Sequence, residues 1–415
     1  MRKILLATTA LVGIAAFAPT AQAQTKDSPL NVNIGGYVDF RAGVFTETND
    51  VLGSTYANSI GNGADGERRN HDFQTEFKLN VDIDGKAMRG IEYGGRVSLW
   101  NGALATYTGL ARGDSSVKTA DAYVYLSGAY GKVVLGDHNG ASDLIVYAPT
   151  VGLGQVDGQY TNFTDPTTLA PFMPTYIENG KEYSTKVTYM TPKVGNDKHK
   201  VQLGVSYAPN TPEAGHSVFL YSSDPGGFAQ ASYRNAIKGA VQYEGSFSPV
   251  NVVLSANVLT ANAENTALTN TSLKSFTSWG IGGQLAYAGF TVGGNYQDAG
   301  SFGAVTNTAT GVEQNKDQHT WSAGVKYEAA KWAAAFSYLS GSGYNNAFVS
   351  AAAPAANTSN YVKDFNAYGV GGTYTWFPGM ATQLDYVHFS QERADSVAGQ
   401  KNAGNVVVLS QKLTF

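Results

Sequence analysis

The chain has 415 residues, among them 48 Gly and 25 Tyr, with no Cys and a formal net charge of −4. The lack of Cys excludes a disulfide scaffold, a Cys-ligated zinc site and a thiol nucleophile. The small net charge and 12% aromatic content are untypical of a disordered chain, and nucleic-acid binding would require a strongly basic surface.

The N-terminus has the pattern of a secretory signal peptide. Arg2 and Lys3 are followed by an apolar stretch and by the small-x-small sequence Ala21-Gln22-Ala23. A transmembrane anchor is the alternative, but the apolar stretch is short for a membrane-spanning helix. The sequence therefore predicts a signal peptide at residues 1–23 and an exported mature domain at residues 24–415.

After this segment the apolar residues recur with a period of two. The alternation is clearest where Phe73, Thr75, Phe77, Leu79, Val81 and Ile83 are separated by Gln74, Glu76, Lys78, Asn80 and Asp82. Successive side chains of a β-strand point to opposite faces, so one face of each strand is apolar and the other polar. The same pattern recurs along the chain and predicts an all-β protein.

The connections between these strands are alternately short and long. Seven short links, such as residues 287–290, alternate with eight long ones, of which residues 139–182 form the longest. Fifteen links join sixteen strands, with all turns at one end of the sheet and all loops at the other. An even number of strands also allows the first and last to pair, which predicts a closed antiparallel barrel.

A sixteen-stranded barrel is too wide for side chains to fill. The polar faces are therefore expected to line a water-filled lumen, and the apolar faces to contact lipid. Outward aromatic residues near strand ends would then form interfacial girdles. These candidates are Trp279, Tyr287, Tyr296, Trp321, Tyr327, Trp332, Tyr338, Tyr374 and Trp376.

Three short motifs resemble those of the general, trimeric outer-membrane porins of Gram-negative bacteria, of the alphaproteobacterial type. The stretch from Asp121 to Gly136 is similar to a strand–turn–strand signature of that family, and Tyr183–Pro192 resembles the strand after its constriction loop. The chain also ends in Leu413-Thr414-Phe415, which resembles the terminal aromatic signature of these barrels. The resemblance implies a homotrimer and a third loop, residues 139–182, that folds inward and narrows the pore.

The resemblance also implies a constriction in which acidic loop residues face basic residues of the wall. The basic candidates are Arg41, Lys78 and Arg96, with Lys132 and His138 as weaker ones. The acidic candidates in the loop are Asp143, Asp157, Asp165 and Glu178. The alternative is that the three basic residues form wall salt bridges with Asp39, Glu76, Asp82 and Glu92. The sequence Gly136-Asp137-His138 departs from the Gly-Arg that the family often has there, which leaves the ion preference open.

The expected function is passive diffusion of small hydrophilic solutes and ions through a water-filled channel in the outer membrane. The alternatives are a sugar- or anion-selective channel and, less favoured, an exported adhesin barrel that forms no channel. We expect no enzymatic activity, no cofactor, no metal and no nucleic-acid partner. Gly61 to Gly66 matches a dinucleotide fingerprint letter by letter, but it lies in a polar segment without a following helix.

Overall fold

The computed structural model describes residues 30–48, 70–101, 117–151, 160, 163–164, 184–210, 232–264, 271–302, 304–307, 313–314, 318–344, 361–393 and 401–415. The predicted signal peptide lies outside these residues. Within the described ranges, no helix has the length and apolar character needed to cross a membrane.

Sixteen long strands form the main sheet. They are β1 (Asn31–Glu47), β2 (His71–Lys86), β3 (Glu92–Trp100), β4 (Lys118–Gly128), β5 (Gly131–Asp137), β6 (Thr185–Met190), β8 (His199–Asn210), β9 (Ser232–Phe247), β10 (Val250–Glu264), β12 (Phe276–Tyr287), β13 (Phe290–Gly300), β16 (Gln318–Glu328), β17 (Trp332–Tyr344), β18 (Tyr361–Phe377), β19 (Met380–Arg393) and β20 (Lys401–Thr414). The two-residue strand β7 (Val194–Gly195) extends the pairing with β8. The short strands β11 (Thr271–Leu273), β14 (Val305–Asn307) and β15 (Glu313–Gln314) form a separate small sheet. Two 3-10 segments, Met88–Gly90 and Gly140–Leu144, follow β2 and β5.

The main sheet is closed. Each long strand pairs antiparallel with its neighbours in the chain, and β1 pairs with both β2 and β20. The pairing runs from Tyr37 opposite Thr414 to Glu47 opposite Gly404. Closure leaves no unpaired strand edge, which is the condition for a β-sheet to span a bilayer. The prediction of a sixteen-stranded antiparallel barrel is confirmed.

Tight turns join the strands at one end, as the link lengths predicted. Between β12 and β13, Ala288 and Gly289 both have positive φ, 49° and 84°. Two central residues with positive φ give a turn whose twist matches that of the flanking strands. The residues of this turn thus bring Tyr287 directly opposite Phe290.

The register separates the two faces of the wall. On β2, Phe73 is 68% exposed, whereas Glu76, on the other parity, is 1% exposed. Large apolar side chains remain exposed along the outward parity of nearly every strand, as expected for a surface that contacts lipid.

Aromatic side chains form contacts at both ends of this outward face. Near the long-loop end, the ring centroids of Trp321 and Tyr338 are 5.0 Å apart. Near the turn end, Tyr327 lies 5.2 Å from Trp332. All nine aromatic residues predicted for the girdles share the outward parity in the strand register.

The inner face differs from the expected polar lining in one region. An inner apolar cluster covers the lumen side of β17 to β20 and β1, although the sequence predicted polar inward residues. It consists of Phe45, Tyr160, Phe163, Leu339, Phe365, Ala367, Val387, Phe389, Val406 and Val408. Tyr160 and Phe163 belong to the segment between β5 and β6, so part of that segment covers the apolar wall.

Candidate functional site

The charged residues of the inner wall on β2 to β4 form two partly exposed ion pairs. Lys78 Nζ lies 3.0 Å from Asp121 Oδ2, and their side chains are 22% and 11% exposed. Arg96 donates to both carboxylate oxygens of Asp82, at 2.6 Å from Nε and 3.1 Å from Nη2. The Arg96 side chain is 36% exposed, so this pair contacts water and still has a defined geometry.

Arg41 is in a different environment. Its side chain is 3% exposed, with Nε 2.8 Å from Asp39 Oδ2 and Nη1 2.8 Å from Glu76 Oε2. Tyr37 donates to the other Glu76 oxygen at 2.6 Å, and Ser410 donates to Asp39. The network joins β20, β1 and β2, the strands at which the barrel closes. Of the three main basic candidates, Lys78 and Arg96 therefore contact solvent, whereas the Arg41 side chain is buried in the wall network.

The two weaker basic candidates also lie on or beside β5. The ammonium nitrogen of Lys132 is 4.2 Å from the centre of the Tyr125 ring, a cation–π contact. His138 follows β5, is 5% exposed, and its Nδ1 lies 2.9 Å from the Gly136 carbonyl oxygen. Burial lowers the pKa of His138 to about 4, so this imidazole is neutral at pH 7.

Of the four predicted acidic residues, only Asp143 lies in the described part of the chain. It belongs to the 3-10 segment Gly140–Leu144. Burial raises the pKa of its carboxyl above the usual value, and the nearby Asp121 adds to the effect. Asp157, Asp165 and Glu178 lie outside the described residues.

The segment after β5 contacts a ladder of polar side chains, one from each of four neighbouring strands. Ser206 of β8 accepts from the Ala141 amide at 2.7 Å, and Gln242 of β9 donates to the Leu144 carbonyl at 3.0 Å. Ser255 of β10 accepts from the Val146 amide at 2.8 Å, and Gln284 of β12 donates to the Tyr147 carbonyl at 2.8 Å. All four side chains share the inward parity of the wall. They satisfy loop backbone groups that would otherwise be buried without partners.

Two buried lysines support the same segment. Lys186 of β6 donates to the His138 carbonyl, and Lys238 of β9 donates to the Ser142 hydroxyl. Both are less than 10% exposed. Their ammonium groups thus contact loop oxygen atoms instead of open solvent.

Glycines of the wall allow the segment to approach closely. A Cβ at Gly282 would lie 1.9 Å from the Val146 carbonyl oxygen, and one at Gly43 would lie 2.3 Å from the Phe163 ring. Any side chain at these positions would collide with the loop, so the absence of Cβ is required by the packing. Further along the segment, the centroid of the Tyr160 ring lies 6.2 Å from the centroid of the Phe389 ring.

Sequence reasoning missed these wall contacts. Ser206, Gln242, Ser255 and Gln284 have the residue types and parity of ordinary lumen-lining side chains. The apolar character of both faces of β20, at Val406 to Leu409, is a sequence signal that part of the inner wall is covered.

A closed sixteen-stranded barrel with an apolar outer face and charged, partly solvated inner pairs defines a membrane channel. The Gram-negative porin family model matches residues 7–394. The chain belongs to this family: it is an outer-membrane porin, a non-enzymatic channel for passive diffusion in the outer membrane of a Gram-negative bacterium.

Solved structures have the same fold at low sequence identity. The outer membrane channel DcaP of Acinetobacter baumannii has a TM-score of 0.59 and 16% identity, covering 93% of this chain and 97% of its own. OmpF of Salmonella typhi, in complex with daunomycin, has a TM-score of 0.57 and 13% identity, with 92% and 97% covered. An anion-selective porin from Comamonas acidovorans has a TM-score of 0.56 and 14% identity, with 93% and 100% covered. A search among curated proteins gave no match.

Proposed function

We propose that the channel is a general pore with weak ion preference, and that its narrowest part lies between the wall of β2 to β4 and the third loop. The observation that carries this proposal is the pairing of the partly exposed cations with carboxylates: Lys78 with Asp121 and Arg96 with Asp82. Balanced charges in a narrow aqueous passage orient water and dipolar solutes without a large bias for either sign of ion. A nonpolar solute would have to disrupt this ordered water.

In this proposal Lys78 and Arg96 form the basic side of the constriction. Arg41 contributes indirectly, because it pairs with Asp39 and Glu76 in the wall. Asp143 is on the acidic side, together with the predicted Asp157, Asp165 and Glu178. The contacts of residues 141–147 with inward side chains support an inward-folded third loop, because they hold its backbone against the lumen wall.

Planar-bilayer conductance of the purified protein tests this function. We expect stepwise insertion of open channels, a reversal potential close to zero in a KCl gradient, and no saturable block by small sugars. An electrically silent bilayer would overturn the channel proposal. A large reversal potential or a saturable block would instead indicate a selective channel.

We further propose a homotrimer in which the outward faces of β4 and β5 contact neighbouring subunits. These faces carry aliphatic side chains, including Val124, Leu126, Val133 and Leu135, whereas outward aromatic residues are abundant on β12 to β19. A surface that packs against protein has no need of interfacial aromatic anchors. Semi-native gel electrophoresis should show a trimer that Leu126→Arg dissociates, and a wild-type monomer would contradict the proposal.

Two finer points of the sequence remain proposals. We propose that residues 1–23 are removed on export, which N-terminal sequencing of the mature protein tests. We also propose that the short motifs place the chain among porins of the alphaproteobacterial type.

A further inference from the structure

Four uncharged polar side chains form a compact group on the inner wall of β10, β12, β13 and β16. We call Asn257, Ser278, Gln297 and Thr320 the polar shelf. Their exposures are 7%, 2%, 1% and 2%. Six of their side-chain nitrogen and oxygen atoms are buried and have no hydrogen-bond partner among the described residues.

The strand register brings these side chains together. Asn257 lies opposite Gly280, Gly280 opposite Gln297, and Gln297 opposite Thr320, so they occupy one level of the wall. A Cβ at Gly280 would lie 2.1 Å from Gln297 Oε1, which shows that the Gln297 amide extends across the glycine toward β10. Ser278 is two residues before Gly280 and shares its face. The register therefore places the four side chains, with their six unpaired atoms, side by side on the inner face of the wall.

The shelf is enclosed on two sides. Toward the turn end, Val146 donates to Ser255, and its carbonyl lies over Gly282, two residues beyond Gly280 on β12. Toward the long-loop end, Phe302 packs on Phe276 at a centroid distance of 5.0 Å. Loop backbone and aromatic rings thus bound the shelf, and neither supplies its missing partners.

We propose that the polar shelf binds neutral hydroxyl-bearing molecules, supplied either as ordered water or as the hydroxyl groups of a small sugar. Amide and hydroxyl groups both donate and accept, so a hydroxyl can satisfy any of the six atoms. An apolar occupant would leave all of them unpaired, at a substantial cost in free energy. Since a buried water makes about three hydrogen bonds, roughly two to three waters would supply a partner to each of the six atoms.

Structures determined with and without glucose test the proposal directly and separate the two sources. Water density bonded to the Asn257 and Gln297 amides, unchanged by glucose, would identify ordered water as the occupant. Sugar density on the same atoms would identify the hydroxyls of a solute. A shelf without density in both structures would overturn the proposal. This result is independent of conductance, so it can fail while the channel function holds.

Unfolding midpoints give a second test, because a dry shelf and an occupied shelf predict midpoint changes of opposite sign. A dry shelf would be stabilised by Gln297→Met and Asn257→Leu, which remove unpaired polar atoms at nearly constant volume. An occupied shelf predicts a lower unfolding midpoint for both variants, because the bridging hydrogen bonds are lost. Asn295→Leu is the matched control: Asn295 accepts from Ser322 one level away, so its substitution should lower the midpoint in either case. A raised midpoint for both shelf variants contradicts the proposal.

Discussion

Arg41 bonds Glu76 across the first strand pair and Asp39 along its own strand, both at 2.8 Å, in a site almost closed to water. Ser410 donates to Asp39 from the last strand. One guanidinium thus connects the ends of the chain where the barrel closes. Two carboxylates share its positive charge, and Tyr37 and Ser410 donate further hydrogen bonds to them.

Substitution of Arg41 by Met should destabilise the barrel by about 3–5 kcal/mol, because it removes the guanidinium that pairs with two buried carboxylates. The measurement is denaturant unfolding of the purified protein in detergent, followed by tryptophan fluorescence. The control is Lys86→Met, because Lys86 lies 3.3 Å from Glu92 in a pair whose side chains are 82% and 52% exposed. That variant should lose less than about 1 kcal/mol, and equal losses for both would show that burial of Arg41 is unimportant.

The barrel could be predicted from the sequence because its alternation is local. On β2 the apolar parity from Phe73 to Ile83 identifies the outward face without knowledge of any other strand. The inner side could not be predicted in the same way. A serine at position 255 is equally compatible with contact to lumen water and with acceptance from the Val146 amide. Which partner it has depends on where a long loop lies in three dimensions. The apolar partners of Phe163 are likewise far apart in sequence.

Gly43→Ala should disturb the inner apolar cluster, since its Cβ would lie 2.3 Å from the Phe163 ring. We expect a loss of about 1–3 kcal/mol in unfolding free energy from overpacking, and a lower single-channel conductance as the loop moves away from the wall. Gly239→Ala is the control, because the nearest atom to its Cβ would be 3.7 Å away.

The double variant Gly43→Ala/Phe163→Ala separates this collision from a general effect on β1. Removing the ring removes the collision, so the alanine at position 43 should cost less stability in the Phe163→Ala background than in the wild type. Additive losses would show that Phe163 does not occupy the space above Gly43.

Charge removal on the exposed wall should change ion selectivity in opposite directions. Lys78→Gln with Arg96→Gln removes two solvated positive charges and should shift the reversal potential in a KCl gradient toward cations. Asp82→Asn with Asp121→Asn should shift it toward anions. Arg41 is 3% exposed at its side chain, so Arg41→Gln should have a smaller effect on open channels. An unchanged reversal potential in both double variants would place these four residues outside the constriction.

The His138 imidazole should make the stability of the protein depend on pH. Nδ1 donates to the Gly136 carbonyl at 2.9 Å, which leaves Nε2 as an acceptor, and Nε2 is buried with no partner among the described residues. Protonation would place a charge there beside Lys186. Burial chiefly, and Lys186 in addition, hold the pKa of His138 at about 4, below the usual 6.5.

Because the pKa of His138 is lower in the folded protein, the unfolded chain binds this proton first as the pH falls. Stability should therefore decrease between about pH 6.5 and pH 4, and level off below that range. Asp143 acts in the opposite sense, because its raised pKa makes the folded state bind a proton more readily. The unfolding midpoint measured against pH should fall less steeply in His138→Phe than in the wild type, and more steeply in Asp143→Asn. Parallel curves of unfolding midpoint against pH for the wild type and His138→Phe would show that this histidine does not cause the loss of stability in acid.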